Sequence, residues 1–561
     1  MLHIDSLLLE AFYKENKDFF ENARVQKIQQ PTRREIILQL RNKGESKKLY
    51  ININPAFYHL CFMSKENEQR RNIEIPKQPP MFCMLLRKHM EGARILKINM
   101  PPFERILELT FENYNEIGDR IEECLSIELM GKHSNIVLYN TDNNIILGCA
   151  HNIGEEKSKE RELAGGLPYI YPPKQDKKNL LQTRFDWLEK ALQKSEETLK
   201  KAISSRYFSL SQALVEEICQ KKNINPEMIS KTISKEETQI LFVELHEFLD
   251  KKEHCFSVGK NREKYSCIND LELKYNTVNE LIDDYFSFHI EKNLVSNLKT
   301  SLKTKINKEL KKLKNTFENQ KKQLEKNEKL QLYKTKGTLL TANAYNIKSG
   351  EKSVFLKDYE TGKTIEIQLD ETKSAIENAQ KFFALYSKGK KACQIAQEMS
   401  EKTLEEINYF KQIIYDIEIC ERFSELKDIA QDLSPDDEPK TKKKEESINI
   451  TKLEIDDFVV YVGKNNKQND YLYSKVSSPN DMWFHTLNTP GSHIIVKAKN
   501  STQQLKDKTI LKIAKLAKEY SSAKNSTKVS VVYTMRKYIK RPNNTKSGFV
   551  VYKNETEIVV D

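Results

Sequence analysis

Three short segments after residue 450 combine basic, amide and aromatic side chains in the way that RNA contacts require. They read VGKNNKQNDYL (462–472), DMWFHTLNTPGSH (481–493) and MRKYIKRPNNTKSG (535–548). Cationic groups bind phosphates, amides reach base edges, and flat rings stack on unpaired bases. The candidate RNA contacts are Lys464, Asn465, Asn466, Lys467, Trp483, His485, His493, Arg536, Lys537, Lys540, Arg541 and Lys546. The alternative is an ordinary basic surface with Trp483 in the core, and the residues leave both interpretations open.

Residue patterns typical of enzymes are missing from the sequence. It contains no Walker A motif, no G-x-G-x-x-G, no H-E-x-x-H and no G-x-S-x-G. His485 and His493 could ligate a metal, but no Cys, Asp or Glu follows at a usual spacing. The sequence therefore predicts no metal, no cofactor and no catalytic site, and it assigns these histidines to hydrogen bonding in a loop and a strand.

Composition limits the class of protein. The 561 residues are too many for one core and predict three or four domains. A net charge of +12 is weak evidence for a polyanionic partner, and 16 glycines and 16 prolines favour long helices. The nine cysteines lack the C-x2-C spacing of a zinc or redox site. With no signal-peptide pattern and no membrane-length apolar run, the sequence predicts a cytoplasmic protein.

The first 175 residues alternate strand and turn patterns, which predicts an α+β domain. The expected strands are Ile36–Leu40, Leu49–Ile53, Ile95–Ile98, Ile106–Phe111 and Ile136–Tyr139. A helix is expected after Pro79–Pro80, with Met81, Leu85, Leu86 and Met90 on one face. Short helices follow, and Ser211 is a candidate N-cap. A helix-hairpin-helix unit and a purely structural helical insert both fit that segment.

Residues 285–332 repeat apolar side chains at coiled-coil spacing among lysines and glutamates. A second helical stretch covers 373–430, and a strand-bearing insert lies between them. The favoured arrangement is an antiparallel hairpin that carries a small tip domain, and a parallel homodimeric coil is the alternative. A helix of this length spans roughly 60 Å. Residues 434–447 form a polar linker, and an α+β domain follows it.

These motifs resemble the NFACT, or RqcH/NEMF, family, whose bacterial members are also known as fibronectin-binding protein A homologues. The three basic segments resemble its NFACT-R RNA-binding domain, and PPMFCMLLRKHMEG (79–92) and ELMGKHSNIVLYN (128–140) resemble its NFACT-N domain. TLLTANAY and ENAQKFF resemble the middle of the family. The expected fold is multidomain α+β. Its parts are NFACT-N (1–175), a helix-hairpin-helix-like domain (176–265), two coiled-coil arms (266–336 and 373–432), a tip (337–372), a linker (433–450) and NFACT-R (451–561).

The resemblance implies a ribosome quality-control factor. Such a factor binds the large ribosomal subunit that still holds peptidyl-tRNA, and it recruits aminoacyl-tRNA, alanyl-tRNA in bacteria. Untemplated residues are then added to the C-terminus of the stalled chain, which marks the chain for degradation. Peptide transfer belongs to ribosomal RNA, so the resemblance implies a protein that positions tRNA and works with an accessory tailing factor.

The family pattern also implies residues for tRNA recruitment, an N-terminal Asp and an Asp-Arg pair. Asp5 matches the first. Glu104 and Arg105 in PFERIL match the second, although Glu replaces Asp and adds one methylene. Asp119–Arg120 has the right dipeptide but lies at the wrong point in the motif order. An Arg beside an acid can clamp a phosphate or base. A salt-bridged strand end is the alternative reading of Glu104 and Arg105.

Two other functions are weighed against this one. The NFACT-N fold resembles part of the formamidopyrimidine-type DNA glycosylases, but no Pro or Glu nucleophile follows Met1 and no C-terminal zinc finger pattern occurs. A surface adhesin that binds fibronectin is the second alternative. The missing signal peptide, the missing wall anchor and the concentrated basic loops argue against an adhesin.

Overall fold

The structure is a computed structural model of the 561-residue chain. It describes residues 4–114, 118–154, 156, 160–173, 175–251, 256–325, 327–433, 450–498, 505–542, 548 and 550–561. Lys546 and all of the predicted linker except its two end residues lie outside this set. The fold divides into two units, Met1–Leu294 and Val295–Asp561, and each is described by itself.

The first unit is built on a nine-stranded antiparallel sheet in the order β4-β3-β2-β1-β5-β6-β7-β8-β9. The strands are β1 (Arg24–Gln29), β2 (Glu35–Asn42), β3 (Glu45–Asn52), β4 (His59–Phe62), β5 (Arg94–Asn99), β6 (Ile106–Tyr114), β7 (Arg120–Glu128), β8 (Asn135–Asn140) and β9 (Ile146–Cys149). Alternating β-branched and aromatic residues account for them, since such side chains fit a pleated surface. All five predicted strands are confirmed, with each end within four residues of the predicted one.

An internal repeat organises this sheet. Residues 21–31 (ENARVQKIQQP) lead into β1, and residues 91–101 (EGARILKINMP) lead into β5 in the same way. A register shift follows the second residue of each strand, at Val25 and at Ile95. Lys27 faces Gln39 in one copy and Lys97 faces Thr110 in the other, so the two hairpins share one register, although the turn of the second hairpin is one residue longer. The four strands β1–β4 and the strands β5–β8 are thus two copies of one meander.

Helices close one face of each copy. They are α1 (Ser6–Phe20), α2 (Lys65–Arg70) and α3 (Met81–Met90). Cys83, Leu86 and Met90 of α3 are buried against the sheet, whereas Met81 is 90% exposed. The prediction that Met81 shares the apolar face is wrong, because the buried set follows the i, i+3, i+7 positions that begin at Cys83.

A helical insert completes the first unit. It contains α4 (Phe185–Gln193), α5 (Leu199–Arg206), α6 (Gln212–Lys221) and α7 (Lys235–Asp250), followed by short strands β10 (Ser257–Val258), β11 (Tyr265–Ser266) and β12 (Leu273–Lys274). Ser211 caps α6 by accepting a hydrogen bond from the Leu214 backbone, as predicted. Residues 222–234 separate α6 from α7, and the shorter connection, residues 207–211, joins α5 to α6.

The long helix α8 (Val278–Leu324) begins in this unit and docks on β4 and α2 through one buried carboxylate. Asp283 accepts hydrogen bonds from the Ser64 backbone and the Asn67 amide, both at 2.9 Å, and from Arg71 Nη2 at 3.0 Å. The Arg71 and Asp283 side chains are at most 4% exposed. The hydrogen bonds to the carboxylate offset much of the desolvation of Asp283, so the network fixes where α8 starts, while Arg71 Nη1 has no hydrogen-bond partner among the described residues.

The second unit begins with an antiparallel helical hairpin. The outgoing helices are α8 and α9 (Asn327–Ala342), and the returning helices are α10 (Ala375–Ile419) and α11 (Phe423–Leu433). Lys303 pairs with Glu418 at 2.8 Å, and the Cys393 thiol donates to the Gln323 carbonyl at 3.5 Å. Leu302, Ile306 and Leu310 bury their side chains against the returning helix. The hairpin prediction is confirmed, since the apolar stripe that a homodimer would need faces the same chain.

Glycines set the helix spacing near the tip. A Cβ added to Gly389 would lie 2.1 Å from Leu330, and one added to Gly337 would lie 3.0 Å from the Phe383 ring. Glycine in a helix interior costs about 1 kcal/mol relative to alanine. The close approach that it permits is the physical reason for its presence at both positions.

The hairpin tip is a small two-stranded sheet of β13 (Ser353–Lys357) and β14 (Thr364–Gln368). Residues 337–342, predicted as part of the tip, continue the helix α9. Ser374 caps α10 in a reciprocal capping box with Glu377. The returning helix therefore has a sharply defined start.

The C-terminal part of the unit is a six-stranded antiparallel sheet, β15-β16-β18-β17-β19-β22, with a separate β20–β21 pair. The strands are β15 (Thr451–Ile455), β16 (Phe458–Gly463), β17 (Met482–Thr486), β18 (His493–Val496), β19 (Val529–Met535), β20 (Ile539–Lys540), β21 (Val551–Tyr552) and β22 (Thr556–Val560). The helices are α12 (Asn466–Tyr471) and α13 (Asp507–Glu519). The predicted α+β class is confirmed. Within the described parts of the chain, no helix has the length and apolar character needed to cross a membrane.

The buried Arg71–Asp283 pair yields a stability prediction. Arg71→Ala should lower the free energy of unfolding by about 3–5 kcal/mol, because it leaves a buried carboxylate without its cation. Glu10→Gln, which breaks an exposed pair with Lys14, should change it by no more than about 0.5 kcal/mol. Urea unfolding followed by circular dichroism compares the two variants. Equal unfolding midpoints would contradict a stabilising role for the network.

Candidate nucleic-acid interface

The turn between β5 and β6 positions Glu104 and Arg105 immediately before a buried strand. The Leu129 backbone N–H donates to the Arg105 carbonyl at 2.8 Å, which anchors the turn to the end of β7. Arg105 Nη1 donates to the Tyr58 hydroxyl at 2.9 Å. Both side chains at this turn are partly exposed. The Tyr58 phenol thus orients the guanidinium, and the other donors of the fork have no hydrogen-bond partner among the described residues.

Asp5 lies in the same region but has a structural task. Its carboxylate accepts the Leu8 backbone N–H at 2.8 Å and so caps α1. Burial raises the pKa of Tyr58, the Arg105 charge opposes the rise, and the Asp5 charge adds to it. Burial also raises the pKa of Tyr265, which hydrogen-bonds to Asp5. The structure therefore brings Asp5 and Arg105 together around Tyr58, a residue that the sequence analysis missed.

A cavity of 1520 Å³ opens beside this turn. Glu104 and Arg105 line it together with α3, the loop that joins β7 to β8, and the segment after β9. Its arginine and lysine lining residues outside that turn are Arg33, Arg34, Lys132 and Arg161, and Glu160 is an acidic residue of the same lining. Arg161 is already committed to the buried Glu128. A cavity of this size and charge fits several nucleotides of a nucleic acid rather than a small apolar ligand.

Two further basic residues near the turn escaped the sequence analysis. Arg34 occupies the position in the first meander that Arg105 occupies in the second, and the internal repeat is the signal that would have found it. Lys177 is the other. Burial lowers its pKa, Arg105 lowers it further, and Glu104 opposes both effects, so Lys177 lies close to that pair. No local motif marks Lys177 in the sequence.

The alternative pair Asp119–Arg120 lies at the opposite end of the β6–β7 hairpin. Arg120 faces Tyr114 across the hairpin, whereas Arg105 precedes the first residue of β6. Nine strand residues separate the two ends, which is about 30 Å. Arg120 forms ion pairs with Glu112 at 2.9 Å and with Glu122 at 3.1 Å. Of the two pairs, only Glu104–Arg105 lines the cavity.

The first basic segment of the C-terminal domain is docked against the base of the arm. Asn465 is buried and caps α12, and Lys467 pairs with Asp428 at 3.2 Å. The Asn466 backbone hydrogen-bonds to the carboxylate of Asp416 in α10. The Lys464 ammonium lies 6.0 Å from the Tyr520 ring centroid. Asn465, predicted as an RNA contact, is instead buried as a helix cap, and the RNA-binding role of Lys464, Asn466 and Lys467 stays a prediction.

The aromatic side chains of the second segment form an internal cluster. Trp483 is 2% exposed and lies parallel to His485, with ring centroids 5.6 Å apart. His493 is perpendicular to both rings. Burial lowers the pKa of both histidines. These three residues were predicted as RNA contacts, but the structure places Trp483 and His493 in the core, where a base cannot stack on them.

The third segment is divided between internal and external roles. Arg536 stacks on Tyr473 at 3.6 Å and donates to the Ser477 hydroxyl, so it fastens the turn after α12. Arg541 pairs with Asp470 at 3.0 Å. Lys537 and Lys540 are exposed and have no ion pair among the described residues. These two lysines, with the partly exposed Tyr538 ring between them, are the C-terminal candidates best placed for a phosphate backbone.

A resident metal has no recognisable site in the described parts of the chain. Groups of three or more His, Cys, Asp or Glu side chains with suitable spacing do not occur there. Burial raises the pKa of Cys61, Cys124, Cys219 and Cys420 to about 12, so these thiols stay protonated.

Comparison with known families defines the class of protein. A family model described as NFACT N-terminal and middle domains matches residues 5–449. A second, described as the NFACT protein RNA binding domain, matches residues 449–554. The chain belongs to the NFACT family, which confirms the resemblance drawn from its motifs.

Within this class the chain is similar over its whole length to bacterial proteins. It is 30% identical to the Rqc2 homolog RqcH of Bacillus subtilis (strain 168), covering 100% of this chain and 98% of the relative. It is 28% identical to the protein of the same name from Streptococcus pneumoniae serotype 2, with the same coverage. A solved structure of the N-terminal part of the fibronectin/fibrinogen-binding protein from Streptococcus suis is 24% identical, covers 50% of this chain and 98% of that one, and gives a TM-score of 0.39.

The docked loop at Asp416 predicts a pH dependence of stability. Burial raises the pKa of Asp416 to about 8, against about 3.9 in an unfolded chain. The folded state therefore keeps a proton that the unfolded state releases, and stability falls as the pH rises from about 4 to 8. Asp416→Asn should flatten this fall by about 2 kcal/mol between pH 6 and pH 8.

Fluorescence of Trp483 during urea unfolding measures this effect, in a Trp187→Phe background that removes the other tryptophan. Asp428→Asn is the control, because Asp428 is exposed and pairs only with Lys467 in the described region. An identical pH profile for Asp416→Asn and the parent chain would show that Asp416 does not titrate as inferred.

Proposed function

We propose that this protein is a ribosome quality-control factor that acts on the large ribosomal subunit obstructed by peptidyl-tRNA. In this proposal it recruits alanyl-tRNA in the cytoplasm, so that an untemplated alanine tail marks the stalled chain for degradation. The observation that carries the proposal is the full-length similarity to RqcH proteins, together with the RNA-binding domain of the family. Ribosomal RNA transfers the peptide, and the protein positions the tRNA with an accessory tailing factor.

The geometry at Arg105 supports tRNA binding at the N-terminal unit. A guanidinium held by the Tyr58 hydroxyl keeps its planar fork in one orientation, which reduces the entropy lost when it binds phosphate or a base edge. Glu104 lies on the same turn and can hold the ligand in register. The cavity beside the turn offers room for an RNA loop. The exposed lysines 537 and 540 give a separate backbone contact in the C-terminal domain.

Substitution of the turn tests tRNA recruitment. Glu104→Ala with Arg105→Ala should reduce alanine tailing on purified obstructed subunits by at least about tenfold, which corresponds to roughly 1.4 kcal/mol of lost binding. Binding to the large subunit in gradient fractions should stay nearly unchanged. Arg105→Lys should also lose tailing, because a point charge does not replace the fork.

Asp119→Ala with Arg120→Ala is the matched control and should keep tailing near the parent level. Tailing that survives in the Glu104 and Arg105 variant would exclude this turn as the recruiting site. If the chain were absent from large-subunit fractions altogether and present at the cell surface, the adhesin alternative would replace the proposal.

Salt dependence tests the C-terminal surface. Lys537→Ala with Lys540→Ala should weaken RNA binding and reduce the slope of log affinity against log salt by about 0.7 for each lost phosphate contact. Arg536→Ala is a contrasting variant, because it should destabilise the domain by removing the Tyr473 contact. Fluorescence anisotropy with labelled RNA over a range of KCl concentrations measures the slope. An unchanged slope would place the phosphate contacts elsewhere.

A further inference from the structure

We infer that the cavity of the N-terminal unit contains a second nucleotide subsite, built by Gln30, Arg33 and Arg34 and related to the Glu104–Arg105 turn by the internal repeat. This inference rests on the proposed RNA-binding function of the same cavity and names the part of the ligand that the second subsite takes. That part is one unpaired nucleotide, whose phosphate meets the arginines and whose base presents an exocyclic amine to Gln30.

The equivalence of the two turns follows from the backbone. The Ile53 N–H donates to the Arg34 carbonyl at 2.8 Å, just as the Leu129 N–H donates to the Arg105 carbonyl at 2.8 Å. Arg34 immediately precedes β2, and Arg105 immediately precedes β6. Both arginines line the same cavity. The fold therefore presents a guanidinium twice, from equivalent positions, to one open cavity.

The turn between β1 and β2 differs in charge from the turn between β5 and β6. Arg33 occupies the position that Glu104 occupies in the β5–β6 turn, so the β1–β2 turn has two cations and no acid. Arg33, Arg34 and Lys132, which also lines the cavity, are exposed and form no ion pair with the described residues. Cations without a carboxylate partner among the described residues favour a polyanion, although Glu104 and Glu160 line the same cavity.

Gln30 supplies the second, independent observation. Its side chain lines the cavity and is 3% exposed, and its Oε1 has no hydrogen-bond donor in the described part of the chain. A buried acceptor without a partner costs about 1–3 kcal/mol, and a ligand N–H restores the loss. The exocyclic amine of adenine or cytosine is a donor of that kind. Gln30 is therefore placed to favour an amino-bearing base.

Binding of short single-stranded RNA tests the subsite. The probe is an oligoadenosine of eight residues, compared with the same oligomer made from purine riboside, which lacks the 6-amino group. The full chain with Lys537→Ala and Lys540→Ala is the background, so that the C-terminal surface contributes less. In that background oligoadenosine should bind about tenfold more tightly than the purine oligomer.

Gln30→Leu should abolish this preference and leave purine binding unchanged, and it should raise thermal stability because it removes an unpaired acceptor. Arg34→Ala should weaken both oligomers by a similar factor, because a phosphate contact does not distinguish bases. The matched controls are Gln26→Leu, an exposed glutamine in the strand β1 that precedes Gln30, and Arg41→Ala, an exposed arginine outside the cavity. Both should bind as the background does.

A preference that survives in Gln30→Leu would overturn the role of Gln30, and an Arg34→Ala variant that binds as Arg41→Ala does would overturn the subsite. These measurements use no ribosome, so their failure is separable from that of the proposed function. If tailing depends on Arg105 but Arg34→Ala binds RNA as the background does, only the second subsite is rejected. If the RNA-binding results match the expectation but tailing does not depend on Arg105, only the recruiting role of the Glu104–Arg105 turn is rejected.

Discussion

One buried carboxylate determines how the N-terminal unit holds together. Asp283 stands on the first turns of the long helix, yet its partners lie in the residues that follow β4 and in α2. A carboxylate buried away from water needs such partners, so these contacts favour one register of the helix on the sheet. The His59 and Phe286 rings stack in parallel with their centroids 4.2 Å apart and add a second contact between β4 and α8. Tyr58, which holds the Arg105 guanidinium, immediately precedes β4, so the same contacts help to position it.

The duplicated meander explains why structure and function share residues here. In each copy, the turn of the first hairpin ends with an arginine whose carbonyl accepts a hydrogen bond from the residue that follows the third strand. This bond fixes the backbone position from which the arginine side chain extends. Asp5 caps a helix and at the same time sets the electrostatic environment of Tyr58. Because the folded scaffold already orders these groups, their side chains lose little conformational entropy when a nucleic acid binds.

Much of the architecture could be predicted from the sequence, because strand alternation, coiled-coil spacing and the Ser211 cap are local signals. The placement of the aromatic rings and the charged groups could not be predicted from such local signals. Basic residues beside aromatic ones suggested an RNA surface, but Arg536 satisfies its fork on Tyr473 and Ser477, and Trp483 fills one face of the sheet. Composition cannot tell a ring that stacks on a base from one that packs in a core. Arg34 was within reach of the sequence, since residues 21–31 and 91–101 repeat each other.

The glycine contacts near the tip have a consequence for how the chain tolerates length changes. Gly337 against Phe383 and Gly389 against Leu330 hold the outgoing and returning helices side by side, so the tip leaves and re-enters the arm at neighbouring points. A segment whose ends already meet adds little loop-closure entropy when it grows or shrinks. Insertions in the turn between β13 and β14 should therefore leave the register of the arm intact, whereas the strands themselves share a core with Leu339 and Leu340 of the arm.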